Sequence, residues 1–218
     1  MFERLLRFWR LWRSRQPHSA SFDVRDDAYE QAFGTIRHVH HSVDRATPHV
    51  DLYECPPTPE RDFIAIVTGG MSDQPMPVEA SNVPGPRREL MMGIGAADPK
   101  AILALKLTAN YPFQCHTEID IHHTVSFGSE FGDGSALSAF LFVAPRFLPD
   151  SLAELELYGQ RVQFLQAVLI TTAEQQYAMR EGSEKLEPLL DAHGYLITRD
   201  FRRPSVVDMP AGPPLVPQ

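Results

Sequence analysis

Apolar positions change their spacing repeatedly along the chain, and each change predicts an element. In "DVRDDAYEQAFGTIRHVHHSV", Tyr29, Phe33, Ile36 and Val39 recur at helical intervals behind an acidic start, which predicts a helix with Gly34 as its weak point. "HVDLYECPP" alternates and then meets prolines, so a strand should stop at Cys55. "DFIAIVTGG" is almost continuously apolar and bounded by glycines, the pattern of a strand buried on both faces. After the loop "SNVPGPRR" comes a short strand, "ELMMGIG". "DPKAILALKLTANYP" offers Asp98 as an N-cap with proline behind it, and predicts a helix that ends near Pro112.

"HHTVSF", "LSAFLFVA" and "VQFLQAVLI" predict further strands, the last two apolar enough to be central. Two short helices follow. The first pairs Thr172 with Gln175 as a capping box and closes at Gly182; the second runs from Ser183 to Gly194. The irregular order of elements predicts an α+β fold: a mixed, largely antiparallel sheet of about five to six strands flanked by helices. Residues 1–20 read as a basic amphipathic helix or arm, 21–208 as the domain, and 209–218 as a flexible proline-rich tail.

Charge narrows the function classes. The 218 residues carry 28 acidic and 20 basic side chains, a formal net charge of -8, which disfavours nucleic-acid binding through the phosphate backbone. Two distant cysteines, Cys55 and Cys115, suggest neither a disulfide framework nor a cysteine zinc site, and fit a reducing, cytoplasmic compartment. No apolar run approaches the roughly 20 residues of a membrane span. The local exception is "MFERLLRFWRLWRSR". Its arginines interrupt every apolar run too early for an export signal, yet Trp9 and Trp12 fall mainly opposite Arg4, Arg7 and Arg10 on a helical projection. That pattern gives weak contact with an anionic membrane surface through residues 1–15, a partner-binding helix, or a cover for the domain's own surface.

Nine histidines raise a metal hypothesis. If "HVHH" is helical, His38 and His41 share a face while His40 points elsewhere, so no HExxH pair arises. On a strand, His122 and His123 face opposite sides. A cluster of His41, Asp51 and His123 would have to be built across elements, with His49 beside Asp51 on one strand face. Satisfied or surface histidines are the simpler reading, and no metal or cofactor is called for. Ser72 in "TGGMSD" lacks the flanking glycines of a GxSxG elbow and is followed by prolines, and nucleotide-binding glycine patterns are absent. The glycines permit a tight turn after a buried strand, with Ser72 or Asp73 bonding its backbone. Met71 and Met76 either present adaptable contact area or tuck into the core.

Together, "HVDLYECPPTPERDFIAIVTGGMSDQPM", "ELMM", "LALKLTANYPF", "HHTVSFG", "LSAFLFVAP", "VQFLQAVLIT", "EQQYAMREGSEKLEPLL" and "FRRPSVV" resemble the Suppressor of fused domain family, in the family's order, over roughly residues 25 to 208. The resemblance is to the stand-alone bacterial type. It implies a non-enzymatic α+β module that binds another protein, with bacterial relatives thought to act as immunity proteins that neutralise toxin domains. The matching positions are His41, His49, Asp51, Gly70, Met71, Ser72, Asp73, His123, Thr124 and Arg203; "TEIDIHHT" lacks the glycines usual in that stretch. An acidic body suits a basic protein partner such as a toxin domain. The reading from another class is a metal-dependent or serine hydrolase using His41, Asp51, Ser72 and His123.

Overall fold

The computed structural model describes residues 20–41, 48–78, 84–128, 130–131, 134–148 and 154–208. The basic segment with Arg4, Arg7, Trp9, Arg10 and Trp12, and the proline-rich tail, lie outside the described residues.

The described residues begin with α1 (Ala20–Phe33), then β1 (His38–His40), β2 (Asp51–Cys55) and β3 (Ile64–Gly69). A single 3-10 turn, Met71–Asp73, leads to β4 (Arg88–Ile94), α2 (Pro99–Cys115), β5 (Thr124–Ser126), β6 (Leu137–Val143), β7 (Glu154–Leu157) and β8 (Gln160–Thr171). Helices α3 (Thr172–Glu181) and α4 (Ser183–Ala192) and a last 3-10 turn, Val206–Asp208, complete it.

The sheet has eight strands in the order β1-β2-β3-β4-β8-β6-β5, with β7 also bonded to β8. Only β4 with β8 is parallel; the other pairs are antiparallel. The class is α+β as expected, but the strands exceed five or six. β1 and β7 are the additions: HVH and ELEL alternate polar and apolar positions, but over only three and four residues.

Residue parity assigns the faces of the sheet, because successive strand side chains point to opposite sides. Leu52, Ile64, Ile66, Leu90, Met92, Phe140, Phe142, Leu165 and Leu169 pack with Ile102, Leu105 and Ala109 of α2 on one face. Tyr53, Cys55, Ala65, Val67, Met91 and Phe164 meet Tyr29 and Phe33 of α1 on the other. Beyond them on that side, Leu141, Val143, Val168 and Ile170 meet Ala178 of α3 and Leu186 and Leu190 of α4. Both faces are therefore covered, which explains the continuous apolar runs of β3 and β6.

Three local expectations are corrected. The first helix ends at Phe33. Gly34 takes a left-handed φ of 81° and donates its N–H to Glu30 O, as a terminating glycine does, and the following segment becomes β1. Arg61 seals this end, donating to Phe33 O (2.9 Å), Pro56 O (2.7 Å) and Phe63 O (3.2 Å). Helix α2 runs past Pro112 to Cys115 and is capped by His116 in the left-handed region, because a proline removes one donor without ending a helix whose inner side is already packed. The capping box is one residue earlier than expected: Thr171 Oγ1 accepts from Glu174 N, and Glu174 returns the bond to Thr171 N. Asp98 caps α2 as expected, accepting from Lys100 N and Ala101 N.

Phe33 is fully buried and in edge contact with Tyr29 and Phe164. Phe33→Ala should lower unfolding free energy by about 3–5 kcal/mol, read from urea denaturation. A loss below about 1 kcal/mol would show that α1 is not part of the cooperative core.

Candidate functional site

The turn "TGGMSD" is built around a buried carboxylate. Glu89, at the start of β4 and fully buried, accepts from Thr68 Oγ1 (2.6 Å), Gly70 N (3.0 Å), Ser72 N (3.0 Å) and Ser72 Oγ (2.6 Å). Four donors converging on two oxygens are the partners of an ionised group. Burial raises the Glu89 carboxyl above its ordinary range, and Arg25 and the hydrogen bonds from Ser72 and Thr68 offset that rise only in part.

Arg25 reaches the turn from α1, forms an ion pair with Asp73, and lies 5.6 Å from the centre of the Tyr158 ring at the β7–β8 turn. Burial works against its charge, but the surrounding carboxylates, Glu89 foremost, hold its pKa above the ordinary arginine value. Tyr29, one helical turn beyond Arg25, donates to Thr68 O (2.7 Å), and Arg87 donates to Ser72 O (2.7 Å). Gly70 adopts a φ of 112°, and a Cβ there would collide with His49 O.

This geometry places several of the predicted residues. Ser72 is buried, its hydroxyl donates to Glu89, and among the described residues no imidazole is one of its hydrogen-bond partners. It is a component of the turn. Met71 and Met76 are both buried in the core beneath α2 and offer no contact surface. The turn does border a cleft of ≈ 390 Å³, lined by Arg25, Asp73, Arg87 and Tyr158 among others.

His41, His49 and Asp51 do come together. The buried Asp51 carboxylate lies 2.9 Å from His41 Nδ1 and 3.2 Å from His49 Nε2, with both imidazoles about half exposed. His38 and His40 share one strand face on β1, their rings 4.4 Å apart, with His40 Nε2 3.4 Å from Glu54; a helical phase had paired His38 with His41. His123 is excluded from this group, since β1 and β5 are the opposite edges of the sheet. His122 and His123 form a turn before β5, with His122 left-handed (φ 66°), so strand alternation does not govern them. Among the described residues no three His, Cys, Asp or Glu side chains are arranged to hold a metal ion.

His123 and Thr124 instead line a second cleft, of ≈ 530 Å³, together with Val78, Tyr111, Thr117, Glu118 and Val125. It lies along β5, a three-residue edge strand with half-exposed side chains. Arg203 is remote from both clefts in role: it is buried, bonds both oxygens of Glu174 (2.6 and 2.7 Å) and Leu169 O (2.9 Å), and lies 4.5 Å from the Tyr195 ring centre. Glu174 also accepts from Val206 N (2.8 Å), so the pair fastens the C-terminal segment to β8 and α3. Cys55 is free and buried, which pushes its thiol up to about 11; Cys115 is free and exposed.

Sequence reasoning missed Glu89 and Arg25, though signals existed. Glu89 is a lone acid inside an apolar strand, and Arg25 precedes Tyr29 and Phe33 at four-residue intervals on the buried stripe of α1.

The described residues thus define an α+β protein in which Ser72 is hydrogen-bonded into a buried turn, with two clefts and the sheet edge β5 accessible. The family model of Suppressor of fused protein (SUFU) matches residues 46–204, and the chain belongs to that family. Among solved structures it is similar to a SUFU homolog from Neisseria gonorrhoeae FA 1090, with 17% identity, a TM-score of 0.65, and coverage of 87% of this chain and 96% of that one. The Sufu–Fu complex structure matches with 15% identity, a TM-score of 0.63, and coverage of 85% and 90%. Drosophila Suppressor of Fused matches with 15% identity and a TM-score of 0.63 over 85% of this chain and 50% of that one. None of the curated proteins matches.

Two stability tests follow from the buried charges. Glu89→Ala strands four donors and Arg25, and should cost about 3–5 kcal/mol in urea denaturation, against about 1 kcal/mol for Ser72→Ala. Equal, small losses would mean that the turn is held by its glycines alone. Acid sensitivity is expected from Glu187, where burial would raise the carboxyl but hydrogen bonds from Arg146 and His122 outweigh it and leave the pKa lowered. A folded value below the unfolded one, about 4.3, gives stability that is complete above that pH and lost as pH falls through the folded value. Glu187→Gln should therefore flatten the fall in thermal midpoint below about pH 4; an unchanged acid limb would remove Glu187 from the cause.

Proposed function

We propose that this chain is a non-enzymatic protein-binding module, acting as an immunity-type protein that binds and neutralises a toxin or other partner protein by surface complementarity. The observation that carries this reading is the β5 edge with its adjoining cleft. A short edge strand presents unpaired backbone groups to an incoming extended segment, and the neighbouring cleft, with Tyr111, His123, Thr124 and Val125 in its wall, takes alternate side chains. Family membership supports the reading, because a relative of the same fold is solved as the Sufu–Fu complex. His123 and Thr124 are the partner-facing members of the matching set; Gly70, Ser72, Asp73 and Arg203 serve the fold that presents them.

The net charge of -8, with Glu118 in the cleft wall, favours a basic partner and a fast, salt-sensitive encounter. Residues 21–208 form the binding domain in this reading. The cytoplasm is its compartment: both cysteines are free, and among the described residues no helix is long and apolar enough to cross a membrane. The hydrolase alternative has no Ser72–imidazole contact among the described residues to build on.

The test is capture of the partner from source-cell lysate, followed by kinetics with the purified partner at low and physiological salt. Ser126→Pro at the edge and Glu118→Arg in the cleft should each raise Kd about tenfold or more, with the circular dichroism spectrum unchanged. A partner held at full strength by both variants would place the contact elsewhere; a salt-independent association rate would remove the electrostatic part.

A further inference from the structure

Among the described residues α2 is the helix that covers its face of the sheet, and it departs from the usual amphipathic pattern, since large apolar residues stand on both its inner and its outer side. Its inner side, with Ala101, Ile102, Leu105, Thr108 and Ala109, is buried. On its outer side Leu103, Leu107 and Tyr111 are 55%, 58% and 39% exposed. Their four-residue spacing sets them one above another in a single stripe about two turns long. Water-facing helix surfaces ordinarily carry polar side chains there. Scattered exposed apolar residues, such as Met179 on α3, need no explanation, but three large ones in a row form a patch.

The charges around the stripe indicate what fits it. Within Pro99–Cys115 the only charged side chains are Lys100 and Lys106, and none is acidic, in a chain whose net charge is -8. Lys100 lies beside the stripe and donates to Phe131 O (2.5 Å); Lys106 flanks Leu103 and Leu107 on the other side. A second copy of α2 would set lysines against lysines across a two-fold axis. On α2 itself an anionic bilayer would meet two cations, with Asp98 and Glu118 beyond the two ends of the helix, too little for a polybasic contact.

We propose that the outer stripe of α2 docks an amphipathic helix of a partner protein, its apolar ridge on Leu103, Leu107 and Tyr111 and acidic residues on its flank facing Lys106. This rests on the reading under Proposed function only in taking the occupant to be a protein. Tyr111 also lines the cleft beside β5, so one partner can engage both surfaces, but the stripe's chemistry is complete without the edge strand.

The experiment uses the full chain and two synthetic 18-residue helical peptides, each with leucines at four-residue intervals, one flanked by glutamates and one by lysines. Fluorescence polarisation should show the glutamate peptide binding with a Kd of about 10 μM or tighter. Leu103→Ser with Leu107→Ser should weaken it about tenfold or more at an unchanged thermal midpoint, and Lys106→Glu should shift preference toward the lysine peptide. Ser126→Pro on β5 should leave peptide binding intact, which separates this site from the edge-strand contact. The proposal is overturned if neither peptide saturates, if binding ignores the leucine and lysine changes, or if the lysine peptide binds the unaltered chain better. It is equally overturned if sedimentation shows a dimer that Leu107→Ser dissolves, or if the chain floats with phosphatidylserine vesicles through the same leucines.

Discussion

A carboxylate taken fully out of water must be surrounded by donors and a counter-charge, and Glu89 imposes that requirement on the rest of this structure. Its partners come from the end of β3, the 3-10 turn and, through Arg25, from α1. Arg25 in turn holds Asp73 and stacks beneath Tyr158, which brings the β7–β8 turn into the same network. One buried charge therefore fixes how a helix, a turn and a hairpin sit against the sheet. Such a pair is weak as a source of net stability and strong as a constraint, because every alternative packing leaves a charge unmatched. Glu174 with Arg203 applies the same logic at the far end of β8, where it holds the C-terminal segment in place.

This division of labour separates scaffold from surface. The glycine-rich turn, the most conspicuous local motif, is consumed by the interior. Its serine, its backbone amides and its methionines all point inward. Among the described residues the surfaces open to other molecules include the cleft beside Asp73 and, across the sheet, β5 and the outer side of α2, where Tyr111 is common to both. A binding module gains from this arrangement, since rigid elements positioned by buried charges present a contact surface without having to order themselves on encounter.

Much of the fold was legible because burial on both faces writes itself as apolar runs. β3, β4, β6 and β8 were read within a few residues, as were Asp98 as a cap and Gly182 as a stop. The failures have physical causes. Val39 and Ile36 continue the helical spacing of Tyr29 and Phe33 by coincidence, since both pack against the same cluster from strand and loop positions; only the backbone of Gly34 breaks the helix. β1 and β7 alternate over only three and four residues, and what makes them strands is the neighbours they pair with. At the site, the pairing of His41 with Asp51 was within reach of sequence because a hairpin joins them, whereas His123 belongs to the opposite edge, a separation that only strand order reveals.

The strand β8 carries a consequence for how the chain reaches this state. It bonds β7 and β6 as antiparallel neighbours close in sequence, yet its parallel pairing joins Arg88 with Gln163 and Met91 with Gln166. That single parallel seam connects the half of the sheet made by β1 to β4 with the half made by β5 to β8. Each half can assemble from nearby hairpins, but the seam must close a long loop before its contacts repay the lost chain entropy. Until it closes, β4 and β8 are both apolar strands with an open side, so the slow step of folding is also the interval in which the chain is most exposed to association with other unfolded chains.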